Sequence, residues 1–285
     1  MPSTPDSRLP TPDSRRVRLT LAYDGTAFYG AQVQPGRRTV ASEVEAALAR
    51  LADDGSAPRI SFAGRTDRGV HAVGQVAHCD LATRLGDEEM GRALNALLPD
   101  DLVVVALATA PGAFHARYDA VWREYRYRVW NAPVREPLLA RVAWHVRPPL
   151  ERAALDEAAA ALAGEHDFAA FAGQGLGVPG GPTGRSTVRE VYGARWFGLA
   201  PQVPRCAGEL LELRIRAGGF LPQMVRTIVA ALVEVGSGRR EPAWIAGLLA
   251  ARDRRLAPAP APPQGLMFWE VGYEPGETRP GWAEG

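Results

Sequence analysis

The residues best suited to catalysis occur together in one short stretch, AGRTDRGVHA at 63–72. Asp67 stands between Arg65 and Arg68, and a glycine lies on each side of this group. Glycine permits backbone turns that other residues resist, and a carboxylate held between two guanidinium groups stays ionised. An ionised carboxylate can act as a nucleophile or as a base. The same spacing also fits a surface turn with an ordinary salt bridge.

Aromatic and basic residues alternate in a second stretch, which runs from FHARY at 114–118 to REYRYR at 123–128. A long strand is predicted at 118–130. On a β-strand, alternate side chains point to opposite faces, which would place an aromatic face beside a cationic one. This arrangement suits RNA, because rings stack on bases and guanidinium groups bind phosphates. It also fits a sheet whose tyrosines pack in the core while its arginines are solvated. The predicted faces carry Arg123, Tyr125 and Tyr127 on one side, and Glu124, Arg126 and Arg128 on the other.

A single arginine, Arg226, interrupts an apolar stretch that predicts a helix at 222–235, with Pro222 at its start. A buried charge without a partner is costly. Arg226 therefore needs a partner inside the protein, and Asp67 is a candidate. Alternatively, Arg226 lies at the edge of the helix and reaches water.

The composition excludes several classes of protein. All 33 basic residues among the 285 are arginine, so Schiff-base enzymes, P-loop NTPases and protein kinases, which each need a specific lysine, are excluded. Cys79 and Cys206 are too few for a disulfide framework or a four-thiolate zinc site, and free thiols fit a reducing cytoplasm. No familiar metal-ligand spacing occurs. No apolar run approaches the length of a membrane span, and the N-terminus lacks the apolar core of a signal peptide.

The order of the strands and helices that must position these residues indicates an α+β protein. The first half reads strand, helix, strand, strand, helix, strand, and the second half repeats this order with longer pieces. Such a pattern favours two similar halves that share one antiparallel sheet. Residues 166–168 are expected to end the helix that precedes them. The expected organisation is a disordered tail at 1–16, an N-terminal half with the candidate loop at 17–111, a C-terminal half at 112–274 and a flexible tail at 275–285.

In its motifs the chain resembles the bacterial tRNA pseudouridine synthase A family, across residues 19–273. The most specific match is the stretch AGRTDRGVHA, in which Asp67 stands where the family has its catalytic aspartate. Because several separated motifs occur in the same order, the resemblance is not a chance match. The other matching segments are 23–26, 38–40, 114–117, 125–127, 166–168, 224–226, 234–236 and 265–266.

The resemblance implies a role for several side chains. Tyr125 matches the tyrosine that packs on the target base and serves as the proton acceptor. Arg65 matches an arginine that holds the flipped nucleotide, and Arg226 matches one that pairs with the aspartate. His115 and Arg117 fall in a matching motif and are candidates for binding the substrate.

The resemblance also implies a fold, a substrate and an assembly. The fold is two ferredoxin-like halves with a mixed, mostly antiparallel sheet, helices packed on it and a central RNA-binding cleft. The reaction is the conversion of uridine to pseudouridine at positions 38, 39 and 40 in the anticodon stem-loop of tRNA. The enzyme is expected to be a cytoplasmic homodimer, with one tRNA reaching across both subunits, and to need no metal or organic cofactor.

Three other interpretations remain open at this stage. A paralogue could modify other tRNA positions or another RNA, and a non-catalytic RNA-binding protein or tRNA chaperone could keep the same fold. A structural α+β protein would leave the alternation at 123–128 unexplained. The chain also departs from the family pattern at Ala31, Val33, Arg68 and the pair Pro222-Gln223. These departures affect the expected RNA contacts and the packing near the site, but not the residues assigned to the chemistry.

Overall fold

Strands and helices alternate along the residues that the computed structural model describes, which are 13–173, 186–200, 207–274, 278 and 280–282. The elements of the first half are β1 (Arg15–Tyr23), α1 (Val40–Ala49), β2 (Ser61–Phe62), β3 (His71–Leu81), α2 (Asp87–Leu97) and β4 (Leu102–Thr109). Those of the second half are β5 (Trp122–Asn131), β6 (Trp144–Val146), α3 (Arg152–Ala160), β7 (Gly164–Asp167), β8 (Val188–Leu199), β9 (Glu209–Ala217), α4 (Met224–Gly236), α5 (Trp244–Ala251) and β10 (Leu266–Gly272).

All of these strands belong to one sheet, in the order β4-β1-β3-β10-β5-β9-β8-β7, with β2 paired to β3 and β6 paired to β5. The strand order within the two halves is the same. In the first half it is β4-β1-β3-β2, and in the second it is β10-β5-β9-β8. This order is that of the ferredoxin-like fold. The predicted α+β fold of two similar halves is therefore confirmed.

The two halves meet where β3 pairs with β10. This pairing is parallel and short, with His71 opposite Met267 and Ala72 opposite Phe268. Most other strand pairs of the sheet are antiparallel. Because β3 begins at His71, the candidate loop that contains Asp67 lies directly at this seam.

Local sequence explains why the elements of the first half form. On β1, Val17, Leu19 and Leu21 alternate with polar residues and are fully buried, as expected for a strand with one face on the core. Helix α1 begins after Thr39, whose hydroxyl accepts a hydrogen bond from the backbone N–H of Ser42, while the Ser42 hydroxyl accepts one from the backbone of Thr39. This reciprocal capping satisfies two N–H groups at the helix start.

The polar face of β5 takes part in an internal charge network, so its arginines are ion-paired within the protein rather than simply solvated. The carboxylates of Glu124 and Glu212 are buried, each with a side chain 1% exposed. They pair with arginines that the β5–β9 register brings opposite them. The aromatic side of β5 packs in the core at Tyr127, whose hydroxyl donates to the carbonyl of Pro262 at 2.7 Å. The ion pairs are Arg126 with both glutamates, Arg128 and Arg214 with Glu212, and Arg216 with Glu124.

Three predicted boundaries were wrong. His166 lies in strand β7 opposite Arg189, because Gly164 at φ +103° turns the chain after the helix. Helix α4 begins at Met224 rather than Pro222, since Gln223 has the left-handed φ of +60°. Strand β5 begins four residues later than predicted, because residues 115–119 form a turn closed by the backbone N–H of Asp119 and the carbonyl of His115.

The predicted tails are partly structured. Arg15 and Arg16, assigned to the N-terminal tail, belong to β1, and Arg16 makes a two-pronged ion pair with Asp80 at 2.7 Å. Near the C-terminus, the indole N–H of Trp282 donates to Glu124 at 3.0 Å. Residues 1–12, Cys206 and most of 275–285 lie outside the described residues. Within the described part, no helix is long and apolar enough to cross a membrane.

Candidate active site

A cavity of about 700 Å³ opens at the seam between the two halves. Five arginines line it, and Asp67 is the only acidic residue among the described lining residues. Such a surplus of guanidinium groups attracts an anionic substrate such as a nucleic acid backbone. The arginines come from both halves and are Arg65, Arg117, Arg123, Arg189 and Arg226.

The carboxylate of Asp67 lies beside a guanidinium group in this cavity. Its Oδ2 atom is 3.5 Å from Nη1 of Arg226, and the side chain of Asp67 is 42% exposed while that of Arg226 is 15% exposed. Arg226 is therefore held inside the protein, and Asp67 stays accessible to a ligand. The partner suggested for Arg226 from the sequence is the one that the structure provides.

The loop around Asp67 is held by groups on neighbouring elements. The carbonyl of Thr66 accepts a hydrogen bond from the backbone N–H of Ala31 at 3.0 Å, and its hydroxyl bonds with that of Tyr23 at 2.8 Å. Gly69 has a φ of +77°, and a side chain on Gly30, at φ +96°, would collide with the carbonyl of Thr66. Glycine is the residue that adopts such angles readily. None of these bonds uses the carboxylate of Asp67, so the loop is formed independently of it.

A proline-rich segment at 257–263 supports Arg226 from the other side. The Nε atom of Arg226 donates to the carbonyl of Ala261 at 2.7 Å, and the backbone N–H of Ala261 donates back to the carbonyl of Arg226 at 3.0 Å. Proline restricts φ and thereby limits the conformations of such a segment. The guanidinium group is thus fixed in orientation before any substrate binds.

Tyr125 forms a buried aromatic wall of the cavity. Its ring packs edge-to-face against Phe220 at 4.9 Å and Phe268 at 5.0 Å between centroids. Its hydroxyl donates a long hydrogen bond to the carbonyl of Arg65 at 3.4 Å. Burial raises the pKa of Tyr125 well above its ordinary value, and the nearby charge of Asp67 adds to this. The hydroxyl is therefore protonated at neutral pH.

The structure brings five of the six sequence-predicted site residues into this cavity. Asp67, Arg226 and Tyr125 meet in its interior, and the exposed residues Arg65 and Arg117 also line it. His115 does not line it but lies in a smaller adjoining cavity. Arg68, one of the departures from the family pattern, places its guanidinium carbon 4.3 Å from the ring centre of Tyr29.

Several residues of the site escaped the sequence reasoning. Arg123 was assigned only to a strand face, yet its guanidinium donates to carbonyls from three separate segments, and burial lowers its pKa. Arg189 carried no motif signal, and the sequence assigned no role to Phe220, which begins the stretch that contains Arg226. Their place in the cavity depends on long-range pairing. The carbonyls that accept from Arg123 are those of Ala63, Arg117, Ala120 and Gly218.

No metal-binding cluster of three or more histidine, cysteine or acidic residues occurs in the part of the chain that the structure describes. The buried histidine of the loop region, His71, has ordinary protein partners. Its Nδ1 accepts from the backbone N–H of Gly25 at 3.0 Å, and its Nε2 faces the carbonyl of Gln264 at 3.1 Å. Both ring nitrogens therefore have protein partners.

The structure thus has two similar α+β halves that share one sheet, with the aspartate loop at their seam. The family model described as tRNA pseudouridine synthase matches residues 20–119 and 158–274. The chain therefore belongs to the tRNA pseudouridine synthase family. As a member of it, the protein is an isomerase that converts uridine to pseudouridine in tRNA.

Curated relatives named tRNA pseudouridine synthase A are similar to the chain over almost their full length. The one from Geobacillus kaustophilus is 43% identical over 262 residues, which cover 92% of this chain and 95% of that protein. The one from Brevibacillus brevis is 43% identical over 259 residues, covering 91% and 100%. The one from Methylococcus capsulatus is 40% identical over 259 residues, covering 90% and 89%.

Proposed function

We propose that the protein isomerises uridines 38, 39 and 40 in the anticodon stem-loop of tRNA, with Asp67 as the catalytic residue. The observation that carries the proposal is the accessible carboxylate of Asp67 beside Arg226, in a cavity whose other described charged residues are all arginines. The motifs that resemble the tRNA pseudouridine synthase A family support the choice of positions.

The reaction requires the target nucleotide to leave the helix. A base inside a duplex is inaccessible, so the uridine is flipped out at a cost of about a few kcal/mol. The open cavity receives it, and the exposed guanidinium groups of Arg65 and Arg117 lie where they can hold its phosphates. Guanidinium groups suit this role because they form two parallel hydrogen bonds to a phosphate.

Isomerisation breaks the bond between C1′ of the ribose and N1 of uracil and joins C1′ to C5. N1 gains a proton and C5 loses one. Asp67 either attacks C1′ as a nucleophile or removes the proton from C2′ to give a glycal. Both routes need an ionised carboxylate next to the ribose, and the guanidinium group of Arg226 lies 3.5 Å from that carboxylate.

Tyr125 is proposed to hold the freed uracil and to take part in the loss of the C5 proton. The first role fits its position in the cavity wall between Phe220 and Phe268. The second role meets a constraint, because the raised pKa of the buried Tyr125 phenol opposes a phenolate base at neutral pH. The hydroxyl can accept the C5 proton only while it passes its own proton to water.

Replacing Tyr125 by phenylalanine tests the second role, since the ring is kept and only the hydroxyl is lost. We expect turnover to fall by up to about 100-fold, the lower end of the usual contribution of a general acid–base group. Removal of the C5 proton should then limit the rate, so tRNA labelled with deuterium at uridine C5 should react more slowly with the variant than unlabelled tRNA. The matched control is Tyr127→Phe, whose hydroxyl bonds to Pro262 outside the cavity. Wild-type rates in Tyr125→Phe would leave the ring with a packing role only.

The family resemblance also supports a homodimer, with one tRNA reaching across both subunits, and a cytoplasmic location. Light scattering after size exclusion tests the assembly. A homodimer has twice the 30.6 kDa mass of one chain, and a monomer at working concentration would contradict this part of the proposal.

The experiment that tests the proposed function is tritium release from tRNA transcripts labelled at uridine C5, followed by mapping of the modified positions. Release that maps to positions 38, 39 and 40 is the expected result. Release from other positions would keep the chemistry and overturn the proposed sites. Tight tRNA binding without release would indicate an RNA-binding protein or chaperone on this fold.

A further inference from the structure

A second, smaller cavity of about 390 Å³ adjoins the cavity that holds Asp67. It contains none of the three side chains assigned to the chemistry. The two cavities share four lining residues, so an RNA strand can pass from one to the other along a continuous surface. The shared residues are Gln32, Phe62, Arg117 and Tyr118.

Tyr118 stands at the border of the two cavities and is 75% exposed. Its position is fixed by the turn at 115–119. The Nδ1 atom of His115 accepts hydrogen bonds from the backbone N–H groups of Arg117 at 3.1 Å and Tyr118 at 3.2 Å. The carboxylate of Asp119 accepts from the backbone N–H of His115 at 2.8 Å. The backbone that carries the ring is therefore fixed by its own turn, although no core surrounds the ring.

Two histidine rings support the ring of Tyr118 from the protein side. The centroids of Tyr118 and His115 are 4.2 Å apart with 32° between the ring planes, and those of His115 and His78 are 4.6 Å apart. His78 belongs to β3, and its Nδ1 accepts a hydrogen bond from the backbone N–H of Ala116 at 3.1 Å. The row of rings thus connects Tyr118 to the central sheet.

A supported, exposed ring beside a guanidinium group has the features of a site for an unpaired nucleotide. Bases stack on aromatic side chains, and phosphates pair with arginine. The guanidinium carbon of Arg117 is 5.9 Å from the ring centre of Tyr118, and Arg117 is itself exposed. A single exposed side chain of this size is common on protein surfaces and needs no explanation. Tyr118 differs, because other rings support it and it lies at the border of two cavities.

When the target uridine is flipped, the base next to it loses a stacking partner. We propose that Tyr118 replaces that partner, so that the nucleotide adjoining the flipped uridine occupies the second cavity. Its base stacks on Tyr118, and its phosphate lies at Arg117. This inference rests on the proposed function, because it needs a uridine in the first cavity.

The first test compares Tyr118→Leu with Tyr118→Phe in steady-state tritium release from tRNA. Loss of the ring should raise KM by about 10- to 100-fold, the range expected for one base–aromatic stack. The kcat should not change, because Tyr118 does not touch Asp67 or its partner. Tyr118→Phe should keep the wild-type KM, since the ring remains. The control for removal of an exposed apolar side chain is Leu138→Ala, because Leu138 is 79% exposed and lines neither cavity.

The second test detects stacking directly, with tRNA that carries 2-aminopurine on the 5′ or the 3′ side of the target uridine. Stacking on a tyrosine ring quenches the fluorescence of this base. With one of the two transcripts, binding to the wild type and to Tyr118→Phe should leave the emission low, and binding to Tyr118→Leu should raise it. A purely structural role for Tyr118 would lower thermal stability without this difference in emission.

The outcomes separate this inference from the proposed function. If the wild type releases no tritium, the proposed function fails, and the fluorescence still reports whether Tyr118 stacks on a bound base. If the wild type releases tritium while Tyr118→Leu matches it in KM and in emission, the inference about Tyr118 is overturned and the proposed function stands.

Discussion

Replacing Asp67 by asparagine is expected to abolish turnover while tRNA binding persists. The amide has almost the same shape as the carboxylate but cannot ionise, so it can neither attack C1′ nor remove a proton from C2′. We expect kcat to fall by at least about 10³-fold, within the range for loss of a catalytic acid, base or nucleophile. The loop should keep its shape, because it is held through Thr66, Ala31 and Tyr23 rather than through the carboxylate.

Tritium release measures turnover in this variant, and titration of labelled tRNA measures binding. The matched control is Asp80→Asn, because Asp80 also pairs with an arginine, Arg16, but lies outside the cavity. The control should keep the wild-type rate. Undiminished turnover in Asp67→Asn would remove Asp67 from its catalytic role. An equal loss of binding and turnover would point to a misfolded loop instead.

The second large effect is expected from replacing Arg226 by glutamine, which removes the positive charge beside Asp67. A hydrogen bond or contact to a charged group contributes about 1.5–3 kcal/mol. At about 1.36 kcal/mol per factor of ten, kcat should fall roughly 10- to 100-fold. Binding should weaken less, because four other arginines line the cavity. Arg226→Lys should retain part of the activity, since it keeps the charge but loses the Nε bond to Ala261.

A double-mutant cycle decides whether Arg226 acts through Asp67. In the Asp67→Asn background, Arg226→Gln should add little to the loss, because the two residues form one functional unit. The matched control is Arg239→Gln, since Arg239 lies just after the end of α4, pairs with Glu234 and is exposed. Fully additive losses would contradict the proposed coupling and assign Arg226 an independent role, such as a phosphate contact.

Thermal unfolding of each variant completes these comparisons. Arg226 is 15% exposed and is bonded to the segment at 257–263, so Arg226→Gln is the variant in which a structural loss is easiest to confuse with a catalytic one. An unchanged kcat with a lowered unfolding temperature would indicate that Arg226 only supports this segment.

The sequence by itself determined the elements of the first half and the loop that carries Asp67. Alternation on β1 and the helical spacing of α1 and α2 are local patterns, and local patterns follow from backbone geometry that neighbouring residues reveal. The family also followed from the sequence, because its motifs are contiguous runs of residues. The sequence also showed that Arg226 needs a partner, because it is a single arginine within a contiguous apolar stretch that forms a helix.

Only the tertiary structure decided what depends on register and on contacts between distant segments. The alternation at 123–128 favours an RNA-binding strand face. In the structure the charged side chains of that face form ion pairs with Glu212 and the arginines of β9, because β9 pairs with β5. The cavity lies at the seam where β3 and β10 pair in parallel. Arg123, Arg189 and Phe220 reach it because β5, β9 and β8 continue the sheet from β10. The free energy of the whole packed sheet determines which distant side chains come into contact, and a local sequence pattern does not contain that information.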